Sequence, residues 1–71
     1  MSNATWRRFG KRLRELRRKR EWSQEEFAYR VGMDVSYLSE LENGKKEPCL
    51  TRIERMAKGF GISMSELLDG L

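Results

Sequence analysis

The sequence contains no histidine and only one cysteine, Cys49. Without histidine, without acids clustered around a plausible pocket and without a glycine-rich phosphate loop, catalysis finds no support. A lone cysteine excludes an internal disulfide and points to a reducing cytoplasm, and a metal site lacks ligands. Cys49 is read as a small loop or cap residue, not a redox centre. No apolar run is long enough for a signal peptide or a membrane span. No segment alternates as a strand does, and neither repeats nor low-complexity stretches occur. The expectation is a cytoplasmic, non-enzymatic protein that needs no cofactor.

What is present is charge, unevenly placed. Residues 1 to 20 carry nine basic residues and one acid, Glu15, whereas residues 21 to 71 carry six bases and ten acids. The positive end runs from Arg7 to Arg20, and the remainder is net negative. Such a segment suits nucleic acid, an anionic membrane surface or an acidic protein, and composition does not choose among them. Seventy-one residues suffice for one domain with a small core that depends on caps, tight packing or a partner subunit. Residues 1–5, with Ser2-Asn3-Ala4, are read as a loose terminus or tag scar, and residues 6–71 as the domain.

Helical periodicity accounts for the rest. Trp6, Phe9, Leu13 and Leu16 share one face of a first helix, roughly Trp6 to Arg20. Gly10 costs this helix about 1 kcal/mol relative to Ala. Ser23 caps a second helix, with Glu26 placed for a capping box and Trp22 with Phe27 for a hydrophobic staple. Phe27, Ala28 and Val31 face inward before Gly32 stops the helix. Asp34 caps a third helix with Leu38 and Leu41 inward, ended by Asn43-Gly44. Lys45 to Pro48 form a loop. A fourth helix from about Leu50 aligns Leu50, Ile53, Met56, Ala57 and Phe60 before Gly61. Ser63-Met64-Ser65-Glu66 is a second capping box, opening a short helix that buries Ile62, Leu67 and Leu68. The reading is an all-α bundle of five helices.

Only Gly32, Met33 and Asp34 join the second and third helices. A tight glycine turn between two helices is the helix-turn-helix unit, whose second helix enters the DNA major groove. The stretch "SQEEFAYRVGMDVSYLSELENGKKEP", followed by "LTRIERMAKGFGISMSELL", resembles the helix-turn-helix domains of the phage repressor and Cro type, from about Arg7 to Leu68. The resemblance implies a compact five-helix, lambda-repressor-like bundle that binds double-stranded DNA, usually as a homodimer on a palindromic operator. Val35 to Asn43 would be its recognition helix. The chain departs from the family in carrying Val35 and Ser36 where Gln, Arg or Asn is frequent. It has Glu40 at a base-reading position and no Lys or Arg between Asp34 and Asn43.

Several residues acquire expected roles. Gln24 opens the second helix, where backbone N–H groups attract an anion, and by resemblance it contacts a phosphate. Val35, Ser36 and Glu40 project from one side of the third helix. Val35 can pack on a thymine methyl, Ser36 is promiscuous, and Glu40 can accept from a cytosine amino group; the plainer reading is a half-buried valine and a solvated acid. Tyr37 and Ser39 can donate hydroxyl hydrogen bonds to phosphates. Asn43, Lys45 and Lys46 follow the helix where this fold meets the DNA backbone, or form an ordinary polar loop. The resemblance implies an ion pair between Arg17 and Glu42 that ties the first helix to the third, with Arg17 also reaching a phosphate. The other bases of the first helix surround it, and most are read as a solvated face adding long-range attraction.

The preferred reading is a sequence-specific DNA-binding regulator, most simply a repressor that occupies an operator. Phage, restriction–modification and toxin–antitoxin contexts all fit. Polymerase or a toxin are possible protein partners, and a membrane is not expected. The alternative is an antitoxin-like interaction module of the same fold that does not read DNA and docks through the basic first helix. For the homodimer, the apolar end from Leu67 to Leu71 is the candidate interface, unless Leu67 and Leu68 complete the core.

Overall fold

A computed structural model describes residues 4–71 and places them in five helices: α1 (Ala4–Lys19), α2 (Gln24–Val31), α3 (Val35–Glu42), α4 (Leu50–Phe60) and α5 (Met64–Leu67). Among the described residues there is no strand. Ser2 and Asn3 lie outside them, whereas Ala4 and Thr5 continue α1. Ala4 and Thr5, expected in the loose terminus, are thus helical, in keeping with the high helix propensity of alanine.

Helix α1 closes through Glu21, which adopts a left-handed conformation at φ 59°. The Trp22 N–H donates to the Arg17 carbonyl at 3.2 Å and the Glu21 N–H to that of Arg18 at 2.9 Å, satisfying carbonyls a helix end leaves free. This sharp reversal seats Trp22 just ahead of Ser23. The Ser23 hydroxyl accepts from the Glu26 N–H at 3.0 Å, but the reciprocal half of the expected capping box does not form. The Glu26 carboxylate pairs with Arg30 one turn on, at 2.9 Å, because an exposed charge partner competes with the neutral cap N–H. Helix α5 carries the complete box between Ser63 and Glu66. Trp22 stacks against Phe27 with ring centroids 5.8 Å apart, and Phe60 joins both rings at 5.9 and 4.4 Å. The staple thus becomes a three-ring stack fastening α2 to α4.

The core consists of Phe9, Leu13, Phe27, Ala28, Val31, Met33, Leu38, Leu41, Met56, Ala57, Phe60 and Leu67. Leu50 is the exception to the expected α4 face: it is 70 % exposed. It occupies the first helical position, one turn before Ile53, where α4 has already run past the edge of the core. Leu67 is fully buried, while Ile62 and Leu68 pack partly against the core.

Gly10 is more than a tolerated cost. A Cβ there would meet the Leu41 carbonyl oxygen and lie 2.6 Å from that of Glu42. The missing side chain lets α1 cross directly against the end of α3. Gly32, at φ 67° and ψ 39°, supplies the left-handed residue that turns α2 into α3. Met33 behind it is buried, which fastens the turn to the core. Helix α3 is held by α1 on one side and α2 on the other.

Candidate nucleic-acid interface

Asp34 starts α3 by accepting from the Ser36 N–H at 3.4 Å. Leu38 and Leu41 then point inward and are fully buried. Helical periodicity sends the intervening side chains outward: Val35 and Ser36 are exposed, and Tyr37, Ser39 and Glu40 half-buried. These five, expected on or beside the reading face, lie on one outward side of a helix anchored from behind.

The anchor is Glu42, whose side chain is wholly buried. Arg17 donates to both carboxylate oxygens, Nε to Oε2 at 2.6 Å and Nη2 to Oε1 at 2.9 Å. Gln24 Nε2 donates to Oε1 at 3.0 Å, and Arg14 Nε approaches the same oxygen at 3.5 Å. Burial alone would raise the Glu42 pKa. The hydrogen bonds from Arg17 and Gln24, the Arg17 charge and the Arg14 contact outweigh it and hold the carboxyl below its ordinary value. Arg17 spends its remaining reach on the Trp22 carbonyl, 2.7 Å from Nη1. One buried carboxylate therefore joins α1, α2, α3 and the turn before α2.

This arrangement revises the expectation for Gln24. One of its amide hydrogens is engaged inside the protein, so at most the other remains for a phosphate. Arg17, with only 9 % of its side chain exposed, likewise offers little surface to DNA. The basic face of α1 is also more structural than its sequence suggests. Arg12 donates to the carbonyls of Glu66 and Leu67, Arg14 to Asn43 Oδ1 at 3.0 Å, and Arg20 to the Phe60 carbonyl. Arg12 and Arg20 satisfy helix-end carbonyls and Arg14 side chains at the end of α3, roles that cannot be read without knowing which helices meet. Arg7, Arg8, Lys11, Arg18 and Lys19 remain exposed.

Past α3, the Asn43 amide returns to the Ser39 carbonyl at 2.9 Å, while Lys45 and Lys46 are exposed. Lys46 Nζ lies 3.5 Å from Glu40 Oε1, and both side chains are about half exposed, at 51 % and 44 %. The acid on the outward side of α3 thus has a cation beside it. Cys49 occupies the N-cap of α4 but makes no side-chain cap bond. Its thiol sits 3.3 Å from the Thr51 hydroxyl, and that contact, with the Arg52 backbone N–H, holds its pKa below the ordinary value. Sequence reasoning passed over Arg52, whose guanidinium lies 4.3 Å from the Tyr37 ring centroid. Nothing in helical spacing signals an arginine of α4 reaching the outward side of α3. Among the described residues no group of acids and cysteine is arranged to hold a metal ion, and no helix is long and apolar enough to cross a membrane.

Two short helices joined by a three-residue glycine turn, the second braced from behind and bare in front, define a DNA-binding helix-turn-helix domain. The family model described as "Helix-turn-helix" (HTH_3) matches residues 13–67, and the chain belongs to that family. It is similar to the control protein C.MunI of Mycoplasma sp, with 42 % identity over 65 residues covering 90 % of this chain and 88 % of that one. The transcriptional repressor RstR of the cryptic phage CTXphi in Vibrio cholerae is 33 % identical over 61 residues, 86 % of this chain and 55 % of that protein. Among solved structures, the restriction-modification controller protein C.AhdI from Aeromonas hydrophila superimposes with a TM-score of 0.87 at 39 % identity, covering 90 % of this chain and 97 % of that chain.

Proposed function

We propose that this protein is a transcription regulator of the controller type, which places α3 in the major groove of an operator and represses by occupying it. The observation that carries this reading is the Glu42 anchor. A helix serves as a reading head only if its angle to the rest of the protein is fixed, and here three donors from two other helices fix it. Val35, Ser36 and Glu40 are the proposed base-reading residues. Tyr37, Ser39, Asn43, Lys45 and Lys46 are the proposed phosphate ligands, with a lesser part for Gln24 and Arg17. The likeness to C.MunI and C.AhdI favours a restriction–modification setting over the other contexts.

The acids Glu40 and Glu42, with no Lys or Arg in α3, are the features that would suit an interaction module that does not read DNA. Glu42 is internal and paired, and Glu40 has Lys46 beside it, so neither leaves α3 a bare negative surface. The regulator is proposed to bind as a homodimer. Support comes from an open apolar groove of about 400 Å³ between the start of α1, Pro48, α4 and the chain's end, floored by Trp6, Phe9, Ile53 and Leu68 and edged by Leu71. Leu67 takes no part, being core, so the candidate surface is this groove and not the α5 end alone. Sedimentation at rising concentration tests the dimer; a chain that stays monomeric and binds DNA one to one contradicts it. Selection of bound fragments from a random duplex pool tests the function. An enriched motif supports it, and recovery of unselected sequence overturns it.

A further inference from the structure

Most arginines near the reading helix already have protein partners: Arg14 and Arg17 in Glu42, Arg12 and Arg20 in helix-end carbonyls, and Arg30 in the exposed carboxylate of Glu26. Arg52 differs. Among the described residues no carboxylate pairs with it, and its guanidinium lies over the Tyr37 ring at 4.3 Å. A guanidinium that rests on a ring through cation–π attraction still has N–H donors for a further partner. Tyr37 is itself packed against the core, so the platform under Arg52 is fixed. The result is a half-buried guanidinium held beside the outward side of α3, with no carboxylate partner among the described residues and the Cys49 thiol as its other polar neighbour.

A second cation shares the ring. Lys46 Nζ lies 5.7 Å from the same centroid. Two cations drawn to one aromatic ring repel each other, and an anion that both can reach turns that repulsion into attraction. The exposed Glu40–Lys46 pair is of the kind worth little in water, so Lys46 can leave Glu40 for a stronger anion at small cost. Arg matches phosphate geometry with two parallel hydrogen bonds.

We propose that Arg52 is a DNA-phosphate ligand held ready by Tyr37, and that Arg52 and Lys46 form a two-cation clamp on the backbone along one edge of α3. The clamp rests on the reading of the protein as a DNA-binding regulator. It changes the role of Tyr37 from hydroxyl donor to platform. It also supplies, from α4, the cationic contact that α3 lacks. When Lys46 moves to a phosphate, Glu40 is released to accept from a base.

The test measures binding to the duplex recovered from a random pool, as a function of salt, for the wild type and for Arg52→Gln, Tyr37→Phe and Tyr37→Leu. Each phosphate contact adds about 0.9 to the log–log salt slope. Arg52→Gln is expected to lower the slope by about that amount for each bound copy of the chain and to weaken binding on the order of tenfold per copy. Tyr37→Phe keeps the ring and should keep the Arg52 contribution. Tyr37→Leu removes the ring, and Arg52→Gln on that background should then cost markedly less. An Arg52→Gln slope equal to the wild-type slope overturns the proposal, including when thermal stability falls, since Arg52 then serves the fold alone. A wild-type slope near zero overturns the DNA-binding reading itself, a separate outcome.

Discussion

Truncating Glu42 to Ala removes the acceptor for Arg17, Gln24 and Arg14 together. Arg17 suffers most, because its side chain is only 9 % exposed and retains just the Trp22 carbonyl. Breaking a buried ion pair from one side costs about 3–5 kcal/mol. Arg14 and Gln24 are partly exposed and can turn to water, which places the expected loss near the lower end, about 3 kcal/mol. For a domain of this size, 1 kcal/mol shifts Tm by roughly 4–8 °C, so a fall on the order of 12–24 °C follows. Arg17→Met should cost less. Glu42 cannot rehydrate, since its side chain is wholly buried, but it keeps the Gln24 and Arg14 donors. A double-mutant cycle on thermal unfolding isolates the Arg17–Glu42 coupling. Coupling within about 0.3 kcal/mol of zero would refute the claim that this pair sets the position of α3. The pair also has a pH signature. The folded pKa of Glu42 lies below its ordinary value of 4.5, so its contribution is complete above that pH and is lost as pH falls through the folded value. The stability gap between wild type and Glu42→Gln should therefore narrow in acid, below about pH 4.5, and stay constant from there to neutrality.

Gly10→Ala should destabilise by about 1–3 kcal/mol despite the better helix propensity, because the new methyl meets two backbone carbonyls of α3; a raised Tm would show that α1 and α3 have room to part. Cys49→Ser should raise stability by about 0.5–1 kcal/mol in thermal unfolding, by giving α4 the side-chain cap it lacks; no gain would mean that the Thr51 contact already serves that end. Glu40→Gln should change base preference at one position per half-site by about 1–3 kcal/mol in competition binding. Uniformly tighter binding to every sequence would instead mean that Glu40 only repels phosphates.

The caps and stops were legible because they are local. Ser23, Gly32, Asp34, Gly61 and Ser63 act on backbone groups within a few residues, and each marks a boundary where its chemistry places it. The helix-turn-helix followed from these and from the inward periodicity of Phe27, Ala28, Val31, Leu38 and Leu41. What escaped depends on which helices touch. Gly10 reads as a cost within α1 alone, whereas the α3 carbonyls against it need its missing side chain. Leu50 fits the α4 stripe by spacing, but periodicity does not say where the core ends. Glu26 has a local partner on each side, the Ser23 N–H three residues back and Arg30 four residues on, and the exposed arginine wins. Arg12 and Arg20 read as part of a solvated face because their acceptors are backbone carbonyls, which every sequence has and none advertises, and Arg14 because its acceptors lie on another helix end. The same holds for Arg52, whose partner is a ring on another helix.

Amide chemical-shift mapping, with a duplex recovered from the random pool titrated into the labelled protein, tests the central claim most directly. The account predicts the largest changes over residues 35–46, with smaller ones at Gln24 and Arg52, and little change along the exposed α1 positions Arg8, Lys11 and Arg18. Changes concentrated on that α1 surface, with α3 undisturbed, would contradict it.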